Sequence, residues 1–367
     1  MKNFMLFFDE KEYGSQSTIQ AKWKKKMKNF MFCFSTKKNM EVSQLYIACR
    51  NGELTKVKEL LPQLTLDDID REEPNQSTAL HAASYYGHTD IVRLLLERGA
   101  SRQQKNKFGN TPADEAKTIE IAHLFNRDAL TPHNRFVASS VSREWSIQNE
   151  FVAASHCRRF YSYAERPPIT TIVEKALGAN VVQNKYEKEA ITRLMKKATR
   201  KDDVTSLIRS YTAETDFYRK LNGDLADLTI TNENAHDPQW SWAFARYIAA
   251  DPELRQLQYA GTTYRGMHMT DADIAVYSVG KMLMNKAFLS TSKLRTVAEK
   301  FALKDLPANK KAAVCTYIIK DKHATLFIKE YSEYPEEEEV LIMPCMDFQV
   351  TKLETTGKFI EIEVLLP

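Results

Sequence analysis

The stretch "EYPEEEEVLIMP" (Glu333–Pro344) sets four consecutive glutamates directly before an apolar run. Like charges side by side repel, and such runs are ordinarily solvated loops. The apolar residues after them change that reading. Val340, Leu341 and Ile342 have strong strand propensity. Side chains alternate faces along a strand, so a strand that already includes the glutamates points Glu337, Glu339 and Leu341 one way and Glu338, Val340 and Ile342 the other. That register predicts Glu337 beside Glu339, roughly 6 to 7 Å apart. Two carboxylates at that separation can divide two tasks, one steadying a developing positive charge and one taking a proton. Glu336 and Glu338 then read as bystanders facing solvent.

Working outward, everything after Thr262 is rich in strand signals: "TTYRGM", "AFLSTS", "VCTYIIK", "ATLFIK", "FQVTKLE" and "FIEIEVLL". The preceding part is helical. "YEKEAITRLMKKATR" and "VTSLIRSYTAETDFYRKLNGDL" space apolar residues at three and four, with "NGD" expected to end the second helix. "DPQWSWAFARYIAADPELRQL" predicts another, whose Trp240, Trp242, Phe244 and Tyr247 read as an aromatic core rather than a binding stripe. Helices followed by strands predict an α+β domain.

Further upstream the chain repeats itself. "LYIACRNGELTKVKELL" (Leu45–Leu61) aligns with "LHAASYYGHTDIVRLLL" (Leu80–Leu96), pairing Gly52 with Gly87 and Val57 with Val92, and a third start at "NTPADEA" from Asn110 then decays. A period near 33 marks stacked helix pairs. "STALHAASYYGHTDIVRLLLERGA" resembles an ankyrin repeat, which makes His81 a local hydrogen-bonding residue between repeats rather than a ligand. About two and a half repeats are few for a self-standing stack. It is expected to dock on the downstream part of the chain or on a partner. The organisation predicted is a disordered extension over 1–39, ankyrin repeats over 40–125, a linker over 126–167 holding the breakers "LTPHNRF" and "ERPPITT", and a catalytic domain over 168–367.

Composition narrows the class. Of 367 residues, 43% are hydrophobic and 27% charged, and 52 basic against 48 acidic residues leave a net charge of +4, too small to argue for nucleic acid or a membrane surface. Five scattered cysteines, Cys33, Cys49, Cys157, Cys315 and Cys345, lack metal-ligand and disulfide-framework spacing and read as thiols of a reducing compartment. No apolar run reaches the ~18 residues of a membrane span. A cytoplasmic or nuclear protein without a metal is the expectation.

Three short stretches carry the chemistry: "YRGM" with Arg265, "FLSTS" with Ser290, and "EEEEVLIMP" with Glu337 and Glu339. In that order, each at a strand edge, they resemble the arginine-specific mono-ADP-ribosyltransferases, over roughly Pro168 to Pro367. The resemblance implies an NAD-binding α+β fold, NAD+ as co-substrate, and transfer of ADP-ribose to arginine on a target protein, the work of an NAD(P)+–protein-arginine glycosyltransferase. It implies that Arg265 holds the phosphate and ribose side of NAD+, a role suited to a planar, permanently charged fork. Ser290 would orient the catalytic glutamate, Glu339 would hold the nicotinamide ribose, and Glu337 would serve arginine as acceptor. Tyr264, Gly266, Thr291 and Ser292 join Arg265, Ser290 and Glu339 in the implied NAD site.

The chemistry agrees independently: breaking the nicotinamide–ribose bond creates an oxocarbenium-like centre that a nearby carboxylate stabilises. A guanidinium must lose a proton before it attacks. Two rivals stand beside this reading: an NAD glycohydrolase with water as acceptor, and a non-catalytic scaffold that senses NAD or ADP-ribose. The secreted, lipid-anchored members carry a leader, disulfides and an apolar tail, and none of these is visible in this sequence.

Overall fold

The computed structural model describes residues 42–126, 145–147, 168–178, 182–201, 203–213, 215–227 and 240–367. The extension expected over 1–39 lies outside them. The repeats come first. Helix α1 (Gln44–Asn51) starts where Ser43 accepts a hydrogen bond from Tyr46 N and stops at Gly52, whose left-handed φ of 76° suits glycine. Helix α2 (Leu54–Leu60) folds back on it. The second pair, α3 (Ala79–Tyr86) and α4 (Thr89–Glu97), repeats the plan with Thr78 as cap and Gly87 at φ 89°. The third start forms no first helix. Thr111 N and Oγ1 both bond Asp114 at 2.8 Å and hold a turn, and only α5 (Ile119–Leu124) follows.

His81 behaves as a repeat histidine should. It is 1% exposed, its Nδ1 accepts from Thr78 N at 3.1 Å, and its Nε2 lies 3.1 Å from Asn110 O in the next repeat. Accepting at Nδ1 leaves the proton on Nε2, so the neutral ring satisfies both partners.

A helical layer comes next: α6 (Ile169–Gly178), α7 (Lys185–Lys201), α8 (Val204–Thr212), α9 (Phe217–Asp227) and α10 (Trp240–Ala250). The segment expected as one helix ending at "NGD" is two. Ala213 turns extended at ψ 142° and breaks it, while Asn222, Gly223 and Asp224 sit inside α9. Asp224 tolerates that position because its carboxylate accepts from Trp240 Nε1 at 2.8 Å and pairs with Lys220. Trp240, Trp242, Phe244 and Tyr247 are all buried in the helical core, as expected, with Phe244 edge-on to Phe288 of the sheet layer.

Nine strands among the described residues form one sheet in the order β1-β3-β8-β9-β5-β2-β4-β7-β6. They are β1 (Trp145–Ile147), β2 (Gly261–Met269), β3 (Met282–Asn285), β4 (Leu289–Ser292), β5 (Lys311–Ile319), β6 (Thr325–Phe327), β7 (Glu339–Ile342), β8 (Asp347–Thr356) and β9 (Phe359–Leu366). All neighbours are antiparallel except β5 and β9. Helix α11 (Arg295–Leu303) lies across β2. Strand β1 falls within 126–167, the stretch expected as linker. It pairs with β3, and Trp145, 3% exposed, packs edge-on to Tyr277 and Phe348.

The repeat stack docks on the helical layer, chiefly through α7. Arg193 of α7 pairs with Asp70 and donates to Leu66 O at 3.2 Å, and Glu189 accepts from Leu66 N at 2.8 Å. Arg98 meets Glu189 at 3.0 Å and lies 4.4 Å over the ring of Tyr186. Burial raises the Asp70 carboxyl pKa, with Arg193 pulling the other way.

Candidate active site

Three adjacent strands, β2, β4 and β7, bring the expected residues together. Tyr264 of β2 stands opposite Ser292 of β4, and Ser292 opposite Glu339 of β7. With strands about 4.8 Å apart, this row is roughly 10 Å wide. Arg265 is 3% exposed, Ser290 1%, Glu337 4% and Glu339 0%. A guanidinium and two carboxylates are costly to hold so deep unless they are paired or hydrogen-bonded. Ser290, Ser292, Glu339 and Leu341 share a face, because residues directly opposite in an antiparallel ladder do so.

Arg265 Nη1 donates to Ser290 O at 2.8 Å, which ties the arginine to the serine strand. The Ser290 hydroxyl meets the Tyr211 hydroxyl at 3.3 Å, and Asn222 Nδ2 donates to that same Tyr211 oxygen at 3.3 Å. Helices α8 and α9 thus brace the serine from behind. The residue directly across from Glu339 is Ser292 rather than Ser290.

The acidic run departs from the strand expected for it. Strand β7 begins only at Glu339; Pro335–Glu337 is a 3-10 turn, and Glu338 is left-handed at φ 44°. Proline fits the first turn position because its fixed φ suits a helical turn and its missing N–H is not needed there. Glu337 and Glu339 therefore do not alternate along one extended face; a kink separates them, and both are buried all the same. Ser292 fixes the kink. Its Oγ donates to Glu337 O at 2.6 Å and accepts from Leu294 N at 2.9 Å, while Glu337 N donates to Tyr334 O at 3.2 Å.

Of the remaining glutamates, Glu336 is exposed as expected. Glu338 is not a bystander. Lys329 bonds it at 2.9 Å and holds its carboxyl below the ordinary range, and Lys293 N donates to its carbonyl at 3.1 Å. The Lys293 ammonium itself lies 4.4 Å from the centre of the Phe327 ring.

Tyr264 and Gly266 also pack toward α11, on the face of β2 away from Arg265 by strand alternation, and the ladder register puts Tyr264 on the same face as Ser292 and Glu339. Tyr264 packs with the α11 cluster under the Arg295 guanidinium, and a Cβ on Gly266 would stand 2.2 Å from Ala298 O and 2.7 Å from Ala302 N. Glycine there lets the helix lie against the strand. Thr291 Oγ1 donates to Val340 O at 2.8 Å and so locks β4 to β7. Tyr211, Asn222, Lys293 and Lys329 are the residues that sequence reasoning missed. Tyr211 and Asn222 both lie in the "VTSLIRSYTAETDFYRKLNGDL" stretch read as helical, and its spacing gave no sign of their role.

Two known families match the chain. Residues 35–124 match the family described as ankyrin repeats, in three copies, and residues 173–365 match the family described as NAD:arginine ADP-ribosyltransferase. Oxysterol-binding protein-related protein 1 of Mus musculus is 28% identical over 110 residues, covering 30% of this chain and 12% of that protein. The Vis protein of Vibrio splendidus is 31% identical over 107 residues, covering 29% of this chain and 43% of its own length. The chain thus spans less than half the length of these curated relatives. Among solved structures, the Vis toxin, an ADP-ribosyltransferase from Vibrio splendidus, is 21% identical with a TM-score of 0.35, covering 56% of this chain and 89% of that one. The type III effector XopAI of Xanthomonas axonopodis pv. citri is 15% identical with a TM-score of 0.39, covering 60% and 100%.

Proposed function

The chain belongs to the NAD:arginine ADP-ribosyltransferase family, and on that premise we propose that it moves ADP-ribose from NAD+ to arginine side chains of proteins and releases nicotinamide. The observation that carries this reading is the pair of buried carboxylates on either side of a left-handed Glu338, one on a turn and one heading a strand. The break aims them from different backbone frames, which suits two separate tasks.

The reaction follows from these positions. NAD+ is a substrate, and the residues fit it: the Arg265 guanidinium suits its diphosphate. The bond between ribose C1′ and the nicotinamide nitrogen breaks, its electron pair leaves with nicotinamide, and positive charge develops on the ribose. Glu339 stabilises that charge more in the transition state than in bound NAD+. A guanidino nitrogen of the acceptor then forms the new bond to C1′ and gives its proton to Glu337. Ser290, braced by Tyr211, keeps Arg265 in register with this strand pair. Ser292 holds the turn that carries Glu337.

The proteins modified are those that present an accessible arginine, and the ankyrin segment is the surface suited to selecting them. Among the described residues no helix is long and apolar enough to cross a membrane. Incubating the whole chain with NAD+ labelled in the adenosine part, with and without a guanidino acceptor, tests the proposal. Label on the acceptor supports it; label only in free ADP-ribose makes the protein a glycohydrolase, and intact NAD+ makes it a scaffold.

A further inference from the structure

The ankyrin segment also touches the catalytic half beyond α7 itself, in the cavity that α7 lines together with Arg102, Glu333 and Tyr334. Gln103 Nε2 donates to Glu333 O at 3.3 Å, and the Arg102 guanidinium lies 5.1 Å from the centre of the Tyr334 ring. Arg102 is itself fixed, since its Nη1 donates to Phe125 O at 3.0 Å and reaches Leu124 O at 3.4 Å at the end of α5. Both residues come after α4 in the repeat stack. They close over Glu333 and Tyr334, the two residues that lead into the Pro335–Glu337 turn.

The same two residues set the position of Glu337. Tyr334 is 2% exposed and its carbonyl accepts from Glu337 N, the hydrogen bond that closes the turn. Glu333 is anchored from the catalytic side, where its N donates to Thr212 Oγ1 at 3.0 Å and its carboxylate meets Arg209 at 3.4 Å. The turn therefore has three supports: α8 behind Glu333, Ser292 under Glu337, and the repeats over Tyr334. Without the third, the aromatic ring that seats the turn loses its cover.

We propose that Arg102 and Gln103 of the ankyrin segment are positioning residues for the transfer step, holding the Glu333–Glu337 turn so that Glu337 meets an incoming guanidinium. This rests on the reading of Glu337 as the acceptor base. Bond cleavage at Glu339 does not depend on them, because Glu339 is fixed in the β4–β7 ladder. Arginine transfer and NAD+ hydrolysis should then respond differently to the repeats.

The test uses the full chain with Arg102→Ala and, as a milder change that leaves the α5 contacts in place, Gln103→Ala. Transfer to L-arginine methyl ester and nicotinamide release without acceptor are measured on the same samples, together with amide hydrogen exchange across 333–338. For Arg102→Ala, transfer should fall about tenfold with release within about twofold, the scale that loss of one partly buried cation–aromatic contact allows. Exchange in the turn should quicken, and Arg102→Lys should restore part of the transfer by returning a cation to the ring. Equal losses of transfer and release, or unchanged exchange in both alanine variants, overturn the proposal. A wild-type chain that leaves NAD+ intact refutes the enzymatic reading instead, and the exchange comparison then decides by itself whether the repeats hold the turn.

Discussion

Replacing Glu337 by glutamine removes a charge and keeps the shape of the side chain. The two backbone bonds that place residue 337, from its N to Tyr334 O and to its carbonyl from Ser292 Oγ, do not involve the side chain, so the turn survives the change. Glutamine is isosteric and fits a site only 4% exposed. What disappears is the ability to accept the guanidinium proton. A positioned general base contributes roughly 10²- to 10⁴-fold, or about 2.7 to 5.4 kcal/mol of barrier at 1.36 kcal/mol per tenfold. Transfer to arginine should fall by that factor. Hydrolysis should fall far less, because water is small, approaches without this carboxylate, and still meets the charge stabilisation of Glu339. The assay follows label into a guanidino acceptor and into free ADP-ribose in one reaction mixture, with circular dichroism to establish the fold. Equal losses in both channels would make Glu337 part of the NAD+ site, and no loss in either would return it to the status of one more acid in an acidic run.

Other consequences are open to measurement. Glu339→Gln should abolish transfer and hydrolysis together, since both pass through the same cationic ribose; nicotinamide release near the wild-type rate in a folded variant would refute that role. Arg193→Met takes the ion-pair partner from buried Asp70 and leaves it only the Ser101 N donor at 2.8 Å among the described residues, a loss at the low end of the roughly 3 to 5 kcal/mol for breaking a buried pair, and urea unfolding should separate into two transitions as the repeats come away from α7; a single unshifted transition would mean that the pair does not seat them. His81 is held neutral by burial, its pKa lowered from 6.5 in the folded state. The unfolded chain therefore binds more protons, so stability contributed by His81 is present above about pH 6.5 and lost as pH falls below it. His81→Gln should flatten that acid limb in thermal unfolding, and an unchanged pH profile would assign the acid loss to other groups.

Much of this architecture was legible because it rests on local patterns. Gly52 and Gly87 announce left-handed helix ends by residue type alone, and the aromatic face of α10 follows from its spacing. Arg265, Ser290 and Glu339 were singled out by motif order, and the ladder does bring their strands together. The errors have specific physical sources. The kink before Glu339 depends on Ser292, which is remote in sequence, and propensity cannot see a hydroxyl arriving from another strand to seize a carbonyl. "NGD" reads as a helix stop until Trp240 supplies a donor for Asp224. The seating of Arg102 on Tyr334 joins residues more than two hundred positions apart, and no local signal records it.

Strand β1 has an implication for how the catalytic half can be isolated. A chain cut at Pro168, where the helical pattern begins, discards Trp145–Ile147 and leaves β3 as the rim of the sheet, with its outward amides and carbonyls open. The hollow between Tyr277 and Phe348 loses the indole that fills it. An uncovered strand beside an apolar hollow is a template for another copy of the same chain. Fragments that start at 168 should therefore self-associate through β3, whereas fragments that begin ahead of Trp145 carry their own protective border.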